Sequence, residues 1–252
     1  MPFVTTARFA FIGGLHRSGT TLLGRALAEH PLVSGFADTG VPADEGQHLQ
    51  TVYPPAKGYG GPGLFAFAPE AHLTESSPLV STASRERLLA DWSPHWDLAR
   101  PVLVEKSPPN LIRFRFLQAL FPEAAFVAVL RHPLAVAYAT SRWRQRESLR
   151  TLVRHWVVAH ELYRQDSPDI VRLHEVRFED FLRAPDAELA RLESFLGLEP
   201  APTTVAVRPD ANEQYLDRWR REGRTPWGRI RQSRIRHELG ERVEAFGYDL
   251  DS

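Results

Sequence analysis

Two glycines five residues apart, joining a run of β-forming side chains to a helix, constrain this chain more than any other feature. Residues 8–13 read RFAFIG, an apolar run ended by glycine; residues 14–21 read GLHRSGTT; and Thr20 to Glu29 carry a helical pattern. A strand that turns through glycine into a helix leaves the backbone N–H groups of the turn and of the helix start aimed at one spot. The helix dipole makes that spot favourable for an anion. An anion site is the leading expectation, and a purely structural glycine turn is its competitor.

The same alternation of strand and helix recurs along the chain. Val102 to Glu105 is a short apolar strand, and Leu111 to Phe121 is an amphipathic helix stopped by Pro122. Ala125 to Leu130 (AFVAVL) is apolar on both faces, as a central parallel strand must be, and Pro133 pre-sets the first turn of the next helix. Leu149, Leu152, Val153, Trp156, His160 and Tyr163 keep helical spacing; Ile170 to Phe178 reads as a strand; Pro185 to Leu196 reads as a helix with Gly197 at C′. Two more helices are expected over Asn212 to Arg220 and Arg234 to Phe246. The pattern specifies α/β, a P-loop-type parallel sheet flanked by helices in a single domain over 1–252. Only from Pro31 to Pro78 is periodicity lost, where Gly and Pro crowd in; Arg85 to Ala90 then looks helical.

Charge and composition narrow the function classes. The 252 residues carry 31 basic and 31 acidic side chains, so no net field draws the chain to nucleic acid or to a membrane surface. With no cysteine there is no disulfide scaffold, thiolate zinc site or cysteine nucleophile. The early apolar stretch, Phe9 to Gly14, is far shorter than the roughly 20 residues of a membrane helix, so a soluble, cytoplasmic chain is expected. Only Lys57 and Lys106 are lysines; the rest of the basic side chains are arginine, the usage of a GC-rich bacterial genome. A lysine that persists against that bias is a candidate for chemistry.

The filling of the glycine loop argues against a nucleoside triphosphate. Thr20 stands where a triphosphatase has its lysine, and the loop's cation is Arg17. The strand from Ala125 ends in Arg131 instead of a magnesium-holding carboxylate. Two anion sites at adjacent strand ends, one of backbone amides and one of arginine, describe a nucleotide phosphorylated at both its 5′ and 3′ positions, held without metal. Arg142, Arg144 and Arg146 around Trp143 read as a nucleotide-facing helix end or a solvated face in preference to an RNA-stacking patch.

Residues 11–31 (FIGGLHRSGTTLLGRALAEHP), 104–108 (VEKSP) and 129–137 (VLRHPLAVA), with 176–182 (VRFEDFL), 195–198 (FLGL) and 212–219 (NEQYLDRW), resemble the sulfotransferases that use 3′-phosphoadenosine 5′-phosphosulfate (PAPS). The likeness is to the RSGTT branch, which includes tyrosylprotein and many bacterial enzymes. It implies PAPS as donor, the bisphosphate PAP as product and no metal. Arg17, Ser18, Gly19, Thr20 and Thr21 would hold the 5′-phosphosulfate, Arg131 the 3′-phosphate, and Lys106 would neutralise charge near the sulfuryl group. Two positions depart from the pattern. Ala139 stands where serine usually adds a 3′-phosphate contact, with Thr140 and Ser141 next to it, and the aromatic at the adenine is Phe178, which lacks a tyrosine hydroxyl.

The resemblance implies transfer of a sulfuryl group to a hydroxyl, or second an amine, of a small-molecule or glycan acceptor, and residues 41–96, unmatched by the motifs, would be the acceptor-site insertion. A base must take the acceptor proton. Cytosolic-type members have histidine two residues after the lysine, where this chain has Pro108; the spacing of the tyrosylprotein-like branch falls on Asp38, the first choice. Glu45 and His48, in the nearby DEGQH of residues 44–48, are the alternatives. His16 is read as filling the turn, and His72 and Glu75 as parts of a capped helix start. Tyr53, Tyr59, Phe65 and Phe67 either line an acceptor pocket or pack the loop with its own rings. Two other functions stay open at this point: a non-catalytic binder of PAP or of sulfated ligands, and a P-loop kinase using ATP with magnesium.

Overall fold

Alternation along the first strand sets the layers. In a computed structural model, which describes residues 7–251, the run Arg8–Gly14 is strand β1, with Phe9 and Phe11 on one face and Ala10 and Ile12 on the other. Its neighbours are Val102–Lys106 (β3) and Ala125–Leu130 (β4), and the edges are Val33–Ser34 (β2) and Leu173–Arg177 (β5), all parallel in the order β2-β3-β1-β4-β5. Every strand therefore ends at the same edge. Ile12 pairs with Lys106, Gly14 with Val129, and Leu130 with Arg177, so the tips of β1, β3, β4 and β5 lie side by side. Ligands of open parallel sheets bind at such an edge, where the strand order reverses.

Both sheet faces are covered. Leu23 and Leu27 of α1 (Thr20–Ala28) and Leu189 and Leu192 of α7 (Pro185–Phe195) pack on the Ala10–Ile12 face. The Phe9–Phe11 face meets α2 (Thr82–Trp92), α3 (Phe114–Leu120), α4 (Pro133–Ser141) and α5 (Leu149–Asp166), with Phe11 stacked on Phe126 at 5.8 Å. Short α6 (Phe178–Arg183) follows β5, and α8 (Glu213–Glu222) and α9 (Pro226–Glu244) close the chain. Among the described residues no helix is long and apolar enough to cross a membrane.

Boundaries differ from the expectations where local chemistry overrides periodicity. The strand expected over Ile170 to Phe178 is confined to Leu173–Arg177, and Phe178 instead opens α6, whose first turn carries Glu179 and Asp180. The last helix begins at Pro226 instead of Arg234, because Thr225 caps it by accepting from the Gly228 amide at 3.0 Å. The two-residue β2 is too short to show any period. Residues 42–71 hold a series of single 3₁₀ turns, and Tyr53 and Phe65 are buried in the core there, lining neither large cleft described below.

Two histidines of α5 lie deep in this packing. His155 Nε2 accepts from the Ala66 amide at 3.2 Å, and His160 stacks on Trp156 at 3.9 Å while donating from Nδ1 to the Trp156 carbonyl. Burial pushes them from the ordinary 6.5 to about 3 and about 4. Between those values and 6.5 the unfolded chain binds more protons than the native one, so both destabilise the fold as pH falls. Glu105, raised by burial to about 7, acts in the opposite sense between 4.5 and 7. His16, lowered by burial to about 3, acts in the same sense as the two α5 histidines, so the histidines outweigh this carboxyl and stability falls as pH drops below 6.5. The urea midpoint is expected to fall between pH 6.5 and pH 5, and less steeply in His155→Gln.

Candidate functional site

The glycine loop takes its shape from two left-handed residues. Arg17 has φ of 72° and Gly19 of 105°. At Gly19 a side chain is excluded twice, by that φ and by the Phe178 ring, which occupies the space a Cβ would need. Ser18 braces the turn: its amide donates to the Leu15 carbonyl at 2.9 Å, and its hydroxyl accepts from the Leu15 amide at 3.1 Å. Gly19 is the N-cap of α1 and supplies no side-chain acceptor, so no cap occupies the first-turn amides. Thr20 and Thr21 add hydroxyls to that turn, and the exposed Arg17 guanidinium lies 4.9 Å from the Trp143 ring centre.

The tip of β4 is tied directly to this loop. Arg131 donates from Nη1 to the Arg17 carbonyl at 2.8 Å, from Nε to Asn212 Oδ1 at 2.8 Å, and from Nη2 to the Ala211 carbonyl at 3.3 Å. A guanidinium has five N–H groups, so two remain for an anion. Phe178 lies beneath, its ring centre 4.5 Å from the Arg131 carbon. Asn212 is itself fixed by donating to Glu179 Oε1 at 2.6 Å, and that oxygen also accepts from the His132 amide at 2.9 Å.

Lys106, at the tip of β3, stands on the other side of the loop. Its ammonium donates to the Ala43 carbonyl at 2.7 Å and to Thr21 Oγ1 at 3.2 Å, and lies 3.6 Å from Glu45 Oε1. Burial lowers its pKa, opposed by the carboxylates of Glu45 and Glu105. The Glu45 carboxyl is raised by burial, opposed by Lys106. His48 Nε2 is 3.8 Å from Glu45 Oε2, and burial and then Lys106 push that imidazole down.

Two cavities share Thr21 and Ala43, the two residues that Lys106 bonds. One, of 370 Å³, is lined by Arg17, Thr20, Thr21, Glu45, Arg131 and Trp143 among others. The other, of 350 Å³, runs beside α1 and is bordered by Arg25, Phe36, Asp38 and Lys106. Arg17, Gly19, Thr20, Thr21, Glu45 and Arg131 thus share one cleft, while Lys106 and the exposed Asp38 line the second cavity.

Of the other sequence candidates, His16 also borders the 370 Å³ cleft and the rest sit elsewhere. Ala139 is buried inside α4, the Ser141 hydroxyl donates to the Tyr138 carbonyl at 2.8 Å, and Thr140 faces a small void beside His16. His16 fills the turn with its ring edge against Phe65. His72 bonds Asp166 at 2.7 Å, far from the loop in sequence, and joins the 42–71 turns to the end of α5. Asn212 and Glu179 were missed as contributors; the only sequence signal was their place in the segments at 212–219 and 176–182. Trp143 was read only as part of an arginine-rich stretch.

Gly19→Ala must place a Cβ in the Phe178 ring at a left-handed φ. The variant is expected to lose about 1–3 kcal/mol of stability, read as a lower urea midpoint, whereas Ser18→Ala, which removes one hydrogen bond, loses about 1 kcal/mol.

Comparison with known proteins identifies the lineage of this site. The family model described as "Sulfotransferase family" matches residues 10–202. No curated protein sequence matches the chain. Among solved structures, the sulfotransferase domain from the Synechococcus PCC 7002 olefin synthase superposes with a TM-score of 0.55 at 21% identity, covering 98% of each chain. The sulfotransferase domain from the curacin biosynthetic pathway gives 0.52 at 20% identity over 79% of this chain and 77% of that one. A sulfotransferase from Alicyclobacillus acidocaldarius gives 0.51 at 17% identity, over 94% and 96%. The folds agree, the loop and the two basic strand tips lie within the matched residues, and the chain belongs to the sulfotransferase family.

Proposed function

We propose that this protein moves the sulfuryl group of PAPS to a hydroxyl, or second an amine, of a small-molecule or glycan acceptor. The observation that carries the reading is the 2.8 Å bond from Arg131 to the Arg17 carbonyl, which makes two anion sites neighbours within the span of one nucleotide. The uncapped first turn of α1 and the two free N–H groups of Arg131 fit a donor phosphorylated at both ends. PAPS supplies an activated sulfuryl group, whose bond to the 5′-phosphate breaks as the acceptor oxygen bonds to sulfur. Arg17, Gly19, Thr20 and Thr21 hold the phosphosulfate end, with Ser18, expected there from the motif, bracing the turn from inside, and Arg131 holds the 3′-phosphate. Phe178 serves the nucleotide side by supporting Arg131 and Gly19 from below.

Lys106 carries the electrostatic part. Two of its three donors are engaged by Thr21 and Ala43 and the third faces Glu45 at 3.6 Å, a longer contact that can be exchanged for the charge that grows on the leaving phosphate oxygen. For the base we take Glu45 over the Asp38 favoured by motif spacing. Glu45 is 6% exposed, lies beside Lys106 and borders the phosphate cleft, whereas Asp38 stands exposed at the rim of the second cavity. Burial raises the Glu45 carboxyl and makes it a stronger base toward the acceptor proton than a free carboxylate. Asp38, Phe36 and Arg25 then face the acceptor, and His48 stays neutral beside Glu45.

Thermal titration tests the donor: PAP without metal at 100 times its Kd is expected to add about 2.7 kcal/mol, with ATP and magnesium adding little. The reverse order rejects the reading in favour of a kinase. With ³⁵S-labelled PAPS and a panel of phenols, sugars and amines, Lys106→Ala is expected to lower turnover by roughly 10²–10³ and Glu45→Gln by about 10²–10⁴. Asp38→Asn should cost less. Strong PAP binding with no transfer to any acceptor or to water would leave a binder, and a larger loss in Asp38→Asn would move the base there.

A further inference from the structure

The Glu45 side chain is only as well placed as the backbone that carries it, and that backbone rests on a buried carboxylate. Glu105 precedes Lys106 on β3, so the two side chains leave the strand on opposite faces. Lys106 goes to the phosphate loop; Glu105, 0% exposed, lies beneath residues 46 and 47. Its Oε1 accepts from the Ser107 hydroxyl at 2.5 Å and its Oε2 from the Asn110 amide at 2.5 Å. Ser107 Oγ in turn accepts from the Gln47 amide at 2.8 Å. Asn110 is tied to β1 by donating to the Ile12 carbonyl at 3.2 Å.

The fit is close enough to dictate a residue type. A Cβ on Gly46 would run into the Glu105 carboxyl, so the backbone of 46 lies directly on the carboxylate. From above, Trp92 donates to the Gly46 carbonyl at 3.0 Å. Gln47 then closes the frame, its side chain donating to Glu45 Oε2 and accepting from the Ala56 amide at 2.8 Å. The strand tip grips this segment twice: Lys106 through Ala43 and Glu45, Glu105 through Ser107 and Gln47.

We propose that Glu105, acting through Ser107 and the backbone of Gly46 and Gln47, is a positioning residue that holds Glu45 beside Lys106 at the edge of the phosphate cleft. The ionised carboxylate, present above about pH 7, suits this role because it only accepts: the Ser107 hydroxyl must point its hydrogen at Glu105 and is left with lone pairs for the Gln47 amide. A glutamine in its place would set an N–H₂ group against one of two donors, and the direction of the chain would be lost. The inference rests on Glu45 being the base.

A double-mutant cycle separates the two ideas. Turnover of ³⁵S-labelled PAPS with the best acceptor of the panel, or with water, is measured for Ser107→Ala, Glu105→Gln, Glu45→Gln and Ser107→Ala combined with Glu45→Gln. Ser107→Ala, the milder change should Glu105→Gln fail to fold, is expected to lower kcat by roughly 10- to 100-fold, as a misplaced reacting group does, with the KM for PAPS and the Kd for PAP unchanged. Ser107→Thr, which keeps the hydroxyl, should restore most of the loss. In the Glu45→Gln background Ser107→Ala should cost less than about twofold, since residues acting as a unit are not additive. The proposal is overturned if Ser107→Ala leaves kcat intact, if its cost is undiminished in the Glu45→Gln background, or if KM for PAPS rises in step with the fall in kcat. Full turnover in Glu45→Gln would remove the base assignment itself, and the positioning role with it.

Discussion

The bond from the Arg131 guanidinium to the Arg17 carbonyl holds the two halves of this site at one edge of the sheet. Arg131 is taken largely out of water, which is costly for a cation unless its donors find partners. Here three acceptors come from two distant parts of the chain: the glycine loop, through the Arg17 carbonyl, and the adjacent Ala211 and Asn212. The Phe178 and Tyr215 rings face the charge at 4.5 and 5.8 Å and replace part of its hydration. Because no acceptor is a carboxylate, the positive charge is not cancelled. The nearest acid, Glu179, is spent on Asn212, the His132 amide and Tyr248. At this tip the positive charge is kept because Glu179 reaches Arg131 only through Asn212.

A parallel sheet makes this economy available to the other tip as well. Alternation sends Lys106 and Glu105 to opposite faces although they are adjacent in sequence, so a buried acid can brace the segment above the site while the cation enters it. An antiparallel arrangement would divide the strand ends between two edges, and the loop after β1, Lys106 of β3 and Arg131 after β4 could not gather at one edge.

How much of this was readable beforehand follows from the range of each interaction. The glycine loop, its Arg17 and the basic tips Lys106 and Arg131 are set by contiguous residues, and the alternation of strands and helices is a periodic signal; both were legible. The 42–71 stretch was not, since single 3₁₀ turns have no repeat, and its fold is fixed by distant partners: Asp166 for His72, Ser107 for Gln47, His155 for the Ala66 amide. Spacing counts residues along the chain and points to Asp38, whereas the proposal of Glu45 rests on burial beside Lys106, which depends on how residues 38–45 turn back. The support of Arg131 by Asn212 spans 81 residues and leaves no local mark.

That turning back has a physical signature of its own. Asp38, Ala43 and Asp44 all have φ between 50° and 54°, a left-handed geometry that costs a side-chain-bearing residue of order 1 kcal/mol or more. Two of the three are compensated in sight: the Ala43 carbonyl accepts from Lys106, and the Asp44 carboxylate accepts from both the Thr39 amide and hydroxyl. The path of the chain over Lys106 is thus paid for by Lys106 itself. An arginine there would bring a planar head larger than the space between Thr21 and the Ala43 carbonyl, where a compact ammonium serves both at 3.2 and 2.7 Å. In a chain whose basic positions are almost all arginine, the lysine survives where its shape is required on two sides at once.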